Sequence, residues 1–169
     1  MASLPAAMPF LLDHEGGKSQ VPGDAGGRTN RGITEAALAG FNLAHPECGL
    51  PADPWDLTLG QTFLFYSKAG YWFYDGIEDQ RVATKVFDLG VNFGDRTEVK
   101  MLQVCVGTVP DGVFGPATCA AVNAEDPDQL LQALCDAAAA RYEEIEARNP
   151  GDAKFMADWL RRAKDLPHG

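Results

Sequence analysis

The stretch DHEGGKSQVPGDAGGRTNRGIT, residues 13–34, decides how the rest of this chain is interpreted. Six of the 17 residues from Gly16 to Gly32 are glycine. Because glycine tolerates positive φ, this density predicts a loop that folds back on itself. Polar groups suited to chemistry recur along the stretch, namely Glu15, Asp24, Arg28, Thr29 and Asn30. The sequence therefore predicts that the functional site is built around this segment.

Glu15 stands where a short helix is expected to end. Apolar residues at positions 4, 7, 8, 11 and 12 recur at helical spacing, and Gly16-Gly17 would end such a helix. The negative end of the helix dipole and partial burial both disfavour the ionised form of a carboxyl group at this position. Such a group suits a general acid, which must hold a proton and then donate it. Position alone leaves open an ordinary solvated glutamate.

A second carboxyl group follows nine residues later, at Asp24, and a hydroxyl group follows after five more, at Thr29. If the glycines fold the loop back, the two carboxyl groups come close together. Carboxyl groups about 6.5–9.5 Å apart leave room for a water on the far side of a sugar ring, as in an inverting glycosidase. The Thr29 hydroxyl could position that water. The alternative is that Asp24 and Thr29 only stabilise the loop through Asx- and ST-turn hydrogen bonds.

Two motifs resemble those of glycoside hydrolase family 108. They are HEGG followed after a gap by DAGGRTNRGIT, and VFDLGVNFG at residues 86–94. That family consists of N-acetylmuramidases, many of them phage endolysins. The resemblance implies a lysozyme-like helical fold and cleavage of the MurNAc-GlcNAc β-1,4 bond in the glycan strands of peptidoglycan. It implies Glu15 as the proton donor, Asp24 and Thr29 as holders of the attacking water, and no metal or organic cofactor.

Four further residues are predicted to contact substrate. Asp88 and Asn92 lie on a narrow polar stripe of an otherwise apolar helix expected over residues 79–93, where the stripe could also be the solvated edge of a core helix. Tyr71 and Trp72 belong to the run YWFY. Aromatic clusters are usually core, but one or two exposed rings at a cleft could stack on sugar faces.

The segment LQVCVGTVPDGVFGPAT, residues 102–118, resembles the LQ…DG.FGP.T pattern of peptidoglycan-binding domains. Its turn-forming residues are expected first to shape a corner between two helices, with a minor strand pair possible around it. Wall contact by this segment is implied by the resemblance alone.

Composition narrows the possible partners. With 14 basic and 24 acidic residues the net charge is −10, which argues against nucleic-acid binding and against electrostatic attraction to anionic membranes or walls. No apolar run is long enough for stable membrane insertion. The first residues lack the features of a secretory signal. We therefore expect a monomer synthesised in the cytoplasm without a signal peptide. It would act on the wall after release or export, for example through a holin.

Capping patterns predict several helix starts. They are Thr58 with Gln61, Asp95 with Glu98, Asp126 and Asp152. Tyr66 is expected on the apolar face of the helix that follows Thr58. The remaining patterns predict about seven helices and little strand, that is, an all-α or mainly-α fold with at most a minor β-hairpin. Residues 1–74 are expected to form a catalytic lobe with the Glu/Asp/Thr loop. Residues 75–169 are expected to form a helical lobe that completes one compact unit and resembles a peptidoglycan-binding region. Two rival functions stay open: a lytic transglycosylase on the same bond, and a non-catalytic protein that binds the wall or assists secretion.

Overall fold

The structure, a computed structural model, describes residues 1–20 and 27–168, except for the side chain of Gln20. Helices dominate this part of the chain, which confirms the mainly-α prediction. The α-helices are α1 (Leu4–Glu15), α2 (Glu35–Ala44), α3 (Leu59–Lys68), α4 (Gln80–Phe93), α5 (Asp95–Cys105), α6 (Pro116–Ala124), α7 (Pro127–Arg148) and α8 (Met156–Lys164). Short 3₁₀ helices cover Pro46–Cys48, Pro54–Asp56 and Pro150–Phe155. None of the described helices is long and apolar enough to span a bilayer.

A three-stranded antiparallel sheet forms within the glycine-rich segment. Its strands are β1 (Lys18–Gln20), β2 (Arg28–Asn30) and β3 (Ile33–Thr34), in the order β1-β2-β3. The two residues between β2 and β3, Arg31 and Gly32, both have positive φ, at 50° and 77°. A two-residue hairpin of type I′ needs this conformation. The strand pair expected around residues 109–116 is absent from the described residues there.

The chain divides into two compact units. One comprises residues 8–72, and its core includes Met8, Leu11, Ile33, Leu38, Phe41, Phe65 and Tyr66. The other comprises residues 1–7 and 73–169. There α4 packs against α5 and α7, and α8 packs against α7, around buried residues such as Val86, Leu89, Leu102, Leu134 and Ala138. The predicted lobes, 1–74 and 75–169, stay a prediction.

Helix starts follow local rules where the sequence offers a capping side chain. Thr58 and Gln61 form the predicted capping box of α3, and Asp126 accepts backbone N–H groups at the start of α7. Two predicted caps are wrong. Glu98 is buried instead of capping α5, and Asp152 lies within the 3₁₀ helix that leads directly into α8.

Glu98 is a buried acidic residue with the partly buried Asp95 close to it in α5. Its Oε2 accepts a hydrogen bond from the Tyr74 hydroxyl at 2.7 Å, and the side chain is completely buried. Burial raises the pKa of Glu98 well above its ordinary value, against the opposing effect of the Tyr74 hydrogen bond. Burial also raises the pKa of Asp95, one turn earlier in α5. Both carboxyl groups therefore bind their protons more tightly in the folded protein than in the unfolded chain.

This raised proton affinity predicts a stability that falls as the pH rises, because unfolding releases protons that the folded state retains. The part due to Glu98 begins near pH 4.5, the ordinary pKa of this group, and continues until the folded protein loses the same proton. Glu98→Gln is expected to remove most of this decline and to raise the Tm relative to the parent at about pH 8. Thermal unfolding at several pH values measures it. Glu143→Gln, an exposed carboxyl on α7, is the matched control and is expected to follow the parent.

Candidate active site

Glu15 is the last residue of α1, and Gly16, with φ of 64°, ends the helix behind it. The Glu15 side chain is partly buried and its carboxylate lies against Gly32. A Cβ on Gly32 would stand 2.5 Å from Glu15 Oε2 and 2.7 Å from the Tyr66 hydroxyl oxygen. The carboxylate and the hydroxyl group therefore converge on one face of the Gly32 backbone, in space that any side chain at Gly32 would occupy.

Two hydrogen bonds of Arg31 hold the hairpin turn that carries Gly32 to neighbouring segments. Tyr66 donates its hydroxyl hydrogen to the carbonyl oxygen of Arg31 at 2.9 Å, and the Arg31 guanidinium donates to the carbonyl oxygen of Leu57 at 3.2 Å. Ile33, directly after the turn, is buried in the core. These contacts fix the backbone against which the Glu15 carboxylate rests.

Two of the polar residues singled out in the sequence hold the sheet to the segment before α3. Arg28 forms an ion pair with Asp53 and lies 4.8 Å from the ring centre of Trp55. The buried Asn30 donates to the carbonyl oxygen of Pro54 at 2.8 Å, and Trp55 Nε1 donates to the backbone carbonyl of Thr29 at 3.2 Å. Arg28 and Asn30 thus have structural partners that account for both side chains.

Thr29 occupies the middle of β2, paired with Ser19 of β1 and Thr34 of β3. Because side chains alternate along a strand, the partly buried Thr29 hydroxyl points to the face opposite Arg28 and Asn30. Since β1 starts three residues after Glu15, the sheet brings the chain that leaves Glu15 beside Thr29. Asp24 lies outside the described residues, so its predicted role stays a prediction.

Tyr71 lies next to the ring that contacts Gly32. Its ring centre is 5.6 Å from that of Tyr66, and the two rings meet edge to face. Tyr71 also lines an open groove of about 260 Å³, together with Ala37, Gly40, Phe41, Ala44, His45, Phe65 and Ala69. Trp72 is partly buried. Substrate contact by Tyr71 and Trp72 stays a prediction.

The polar stripe of α4 forms a buried contact with α8. Asp88 is completely buried, and the Arg162 guanidinium donates to its Oδ1 at 2.9 Å. The equally buried Lys85 donates from Nζ to the carbonyl oxygens of Arg162, Ala163 and Asp165 at 2.8–3.0 Å. A buried and ion-paired carboxylate cannot reach a glycan strand in this conformation. The ion pair therefore replaces the substrate contact predicted for Asp88.

Asn92 lies at the other end of the same stripe. It is exposed, and its side-chain amide donates a hydrogen bond to the Tyr142 hydroxyl of α7. Its predicted contact with substrate stays a prediction, since an exposed amide with one such partner retains further hydrogen-bonding capacity.

The ion pair predicts a large loss of stability for Arg162→Met. This change removes the guanidinium partner of a completely buried carboxylate, and breaking a buried pair in this way costs about 3–5 kcal/mol. Denaturant unfolding monitored by circular dichroism measures the loss. Arg161→Met is the control, because the neighbouring Arg161 is 80% exposed and pairs with Asp158 at the surface. Equal effects of the two changes would contradict the buried pair as a source of stability.

Gln103 organises the corner between α5 and α6. The Nε2 of this buried amide shares its two hydrogens among three acceptors, Asp111 Oδ1 at 2.8 Å, the Val113 carbonyl at 3.1 Å and Thr118 Oγ1 at 3.1 Å. Its own oxygen accepts from the backbone N–H of Gly112 at 2.9 Å. The residues shared with the LQ…DG.FGP.T pattern therefore build the predicted helix–turn–helix corner.

Two protein families match the chain and show which class of protein it belongs to. Residues 8–94 match the family described as glycosyl hydrolase 108, and residues 97–164 match one described as a predicted peptidoglycan domain. Together these matches make the chain a glycoside hydrolase that acts on peptidoglycan. The first match covers more than half of the chain, which therefore belongs to the glycosyl hydrolase 108 family, as its motifs predicted.

Among solved structures, that of Brucella abortus SagA is similar along almost the whole chain. The two sequences are 29% identical, the match covers 95% of each chain, and the TM-score is 0.68. No curated protein sequence matches the chain significantly.

Proposed function

We propose that this glycoside hydrolase is an N-acetylmuramidase, which hydrolyses the β-1,4 bond between MurNAc and GlcNAc with Glu15 as the proton donor. The observation that carries the proposal is the position of the Glu15 carboxyl group. It ends α1, is partly buried, and rests against a glycine whose missing side chain leaves it room. It also lies within the segment that matches glycosyl hydrolase 108.

In the proposed reaction Glu15 protonates the glycosidic oxygen as the bond to the anomeric carbon breaks. The sugar ring develops oxocarbenium character. Asp24 accepts a proton from a water on the opposite face, the Thr29 hydroxyl orients that water, and the water oxygen bonds to the anomeric carbon. The products are two glycan ends, one of them a new reducing MurNAc. Water supplies both the hydroxyl group and the proton, so no other reactant is needed.

Asp24→Asn and Thr29→Ala are each expected to reduce turnover more than substrate binding. Together they are expected to cost less than the sum of their separate effects on the activation free energy, since residues that act as a unit are strongly non-additive. Turnover and Tm of both single variants and the double variant measure this. NMR of the first product is expected to show inverted anomeric configuration.

Ordinary loop roles for Asp24 and Thr29 give different results. Activity losses would then follow the loss of stability, would recover on cooling, and would add if the two sites are independent. A retained anomeric configuration would also contradict direct attack by a water held by Asp24 and Thr29. A product lighter by one water would identify a lytic transglycosylase, which closes an anhydro ring instead of hydrolysing the bond.

The biological role we propose is that of an endolysin. The protein would be made in the cytoplasm, act as a monomer, and reach the wall after release or export, for example through a holin. Expression with and without a co-expressed holin tests this role. Lysis that needs the holin supports it, and lysis at the same rate without any pore-forming partner contradicts it.

A further inference from the structure

A groove of about 490 Å³ runs between α5 and α7, away from Glu15 in the sequence and within the unit of residues 1–7 and 73–169. Its volume lies within the range of about 300–1,000 Å³ that is usual for ligand sites. The lining combines apolar or small side chains with charged ones: Met101, Val104, Ala137, Ala140, Thr97, Arg96, Lys100, Arg141 and Glu144. All of these except Arg96 lie within residues 97–164, the match to the peptidoglycan domain.

The charge of the groove is opposite to that of the chain. Three of its nine lining residues are basic and one is acidic, whereas the whole chain carries 24 acidic against 14 basic residues. The single acidic residue, Glu144, is paired with Arg141 at 2.9 Å. Arg96 and Lys100 are exposed and form no ion pair within the part of the chain that the structure describes. Arg96 also interacts electrostatically with Asp111, whose pKa it helps to lower. The groove therefore offers two exposed positive charges beside an apolar floor.

The corner built by Gln103 places these two charges. A Cβ on Gly112 would stand 2.7 Å from Arg96 Cγ and 3.2 Å from Lys100 Cε. The stems of both side chains thus lie on the bare backbone of Gly112, whose φ of 79° and hydrogen bond to Gln103 fix the turn. In the motif that resembles peptidoglycan-binding domains, a glycine at this position leaves the space that Arg96 and Lys100 occupy at the edge of the groove.

We propose that this groove binds the stem peptide of peptidoglycan, a short anionic peptide that combines free carboxylates with alanine methyl groups. Arg96 and Lys100 would receive the carboxylates, and Met101, Val104 and Ala140 would contact the methyl groups. Charge complementarity favours this occupant. A chain with a net charge of −10 repels an anionic polymer over most of its surface, so a locally basic groove is where an anionic peptide is expected to bind. The inference deepens the proposed function and rests on peptidoglycan being the substrate.

The first test is a calorimetric titration of the full chain carrying Glu15→Gln with the tripeptide L-alanyl-γ-D-glutamyl-meso-diaminopimelate. Lys100→Glu and Ala140→Phe are each expected to weaken binding at least about tenfold, by reversing a charge and by filling the floor. Lys164→Glu, the same charge change on an exposed lysine of α8, is the control and is expected to leave affinity unchanged.

The second test separates this inference from the proposed function. Chains with Glu15 intact are assayed on whole sacculi and on glycan strands from which an amidase has removed the peptides. Lys100→Glu is expected to slow cleavage of sacculi by a larger factor than it slows cleavage of the bare strands. If the parent chain cleaved neither substrate, the muramidase proposal would be contradicted. The calorimetric titration would still test the binding of the stem peptide.

Three outcomes would overturn the stem-peptide proposal. One is tripeptide affinity that Lys100→Glu and Ala140→Phe do not change, and another is no measurable affinity in the parent chain. The third is a change in oligomeric state on Lys100→Glu, seen by light scattering, with peptide affinity unaltered. That result would mean that a second copy of the chain occupies the groove.

Discussion

Glu15→Gln is expected to abolish cleavage of peptidoglycan while the fold survives. Glutamine keeps the size and the hydrogen-bonding atoms of the side chain but has no acidic proton to donate. General acid catalysis contributes about 10²–10⁴-fold to the rate, so turnover should fall by at least the lower figure. Release of soluble muropeptides from sacculi measures turnover, and circular dichroism and Tm verify the fold.

Glu47→Gln is the matched control for this experiment. Glu47 lies in the same unit of residues 8–72, and its side chain is 61% exposed in the 3₁₀ helix Pro46–Cys48. The same loss of a carboxylate at this site should leave the rate unchanged. If the Glu15 variant, correctly folded, retained activity within about tenfold of the parent, Glu15 would not be the general acid.

Gly32→Ala is expected to produce the second large effect, through displacement of Glu15. The added methyl group would stand 2.5 Å from the Glu15 carboxylate oxygen and 2.7 Å from the Tyr66 hydroxyl oxygen, so at least one of these groups must move. A shift of about 1 Å in a catalytic group can cost about 10²-fold in rate. The φ of 77° adds a backbone cost of about 1–2 kcal/mol for any residue with a Cβ.

Gly49→Ala is the control that separates the displacement of Glu15 from the backbone cost of a positive φ. Gly49 has a similar φ of 60° in the same unit, and a Cβ there meets no atom within 4 Å. The control should therefore lose comparable stability and keep its rate at a temperature where both variants are folded. Equal rates for the two alanine variants would show that the contact with Glu15 has no catalytic importance.

The features that the sequence predicted well depend on residues close together in the chain. The capping box of Thr58 and Gln61 spans four residues, and the end of α1 at Glu15 is set by the glycines directly after it. The corner around Gly112 was likewise visible as turn chemistry. In each case the hydrogen bonds that decide the structure join neighbours, so a local pattern carries enough information.

The features that were missed depend on distant partners. Asp88 was predicted to contact substrate, but it pairs with Arg162, which is 74 positions away. The burial of Glu98 depends on Tyr74, 24 positions earlier. Nothing in the spacing of a charged stripe distinguishes a solvated face from one buried against complementary groups. Buried charges must be paired, and the pairing is a tertiary fact.

In the candidate site, too, residues set by local sequence were predicted and residues set by distant contacts were missed. The sequence indicated Glu15 and Thr29 from motif and position, yet it placed Tyr66 among the core aromatics of α3. The structure gives the Tyr66 hydroxyl a place beside the Glu15 carboxylate at Gly32. The strands of two or three residues within the glycine-rich segment were also missed, because runs so short in glycine-rich sequence show no alternation pattern.

Digestion of purified sacculi in heavy-oxygen water, followed by mass spectrometry of the products, tests the central proposal most directly. Hydrolysis by a muramidase places the oxygen of the attacking water on the new reducing end, so heavy oxygen is expected on terminal MurNAc. The Glu15→Gln chain should yield none. Heavy oxygen on terminal GlcNAc, or an anhydro-MurNAc end without the label, would contradict hydrolysis by a muramidase.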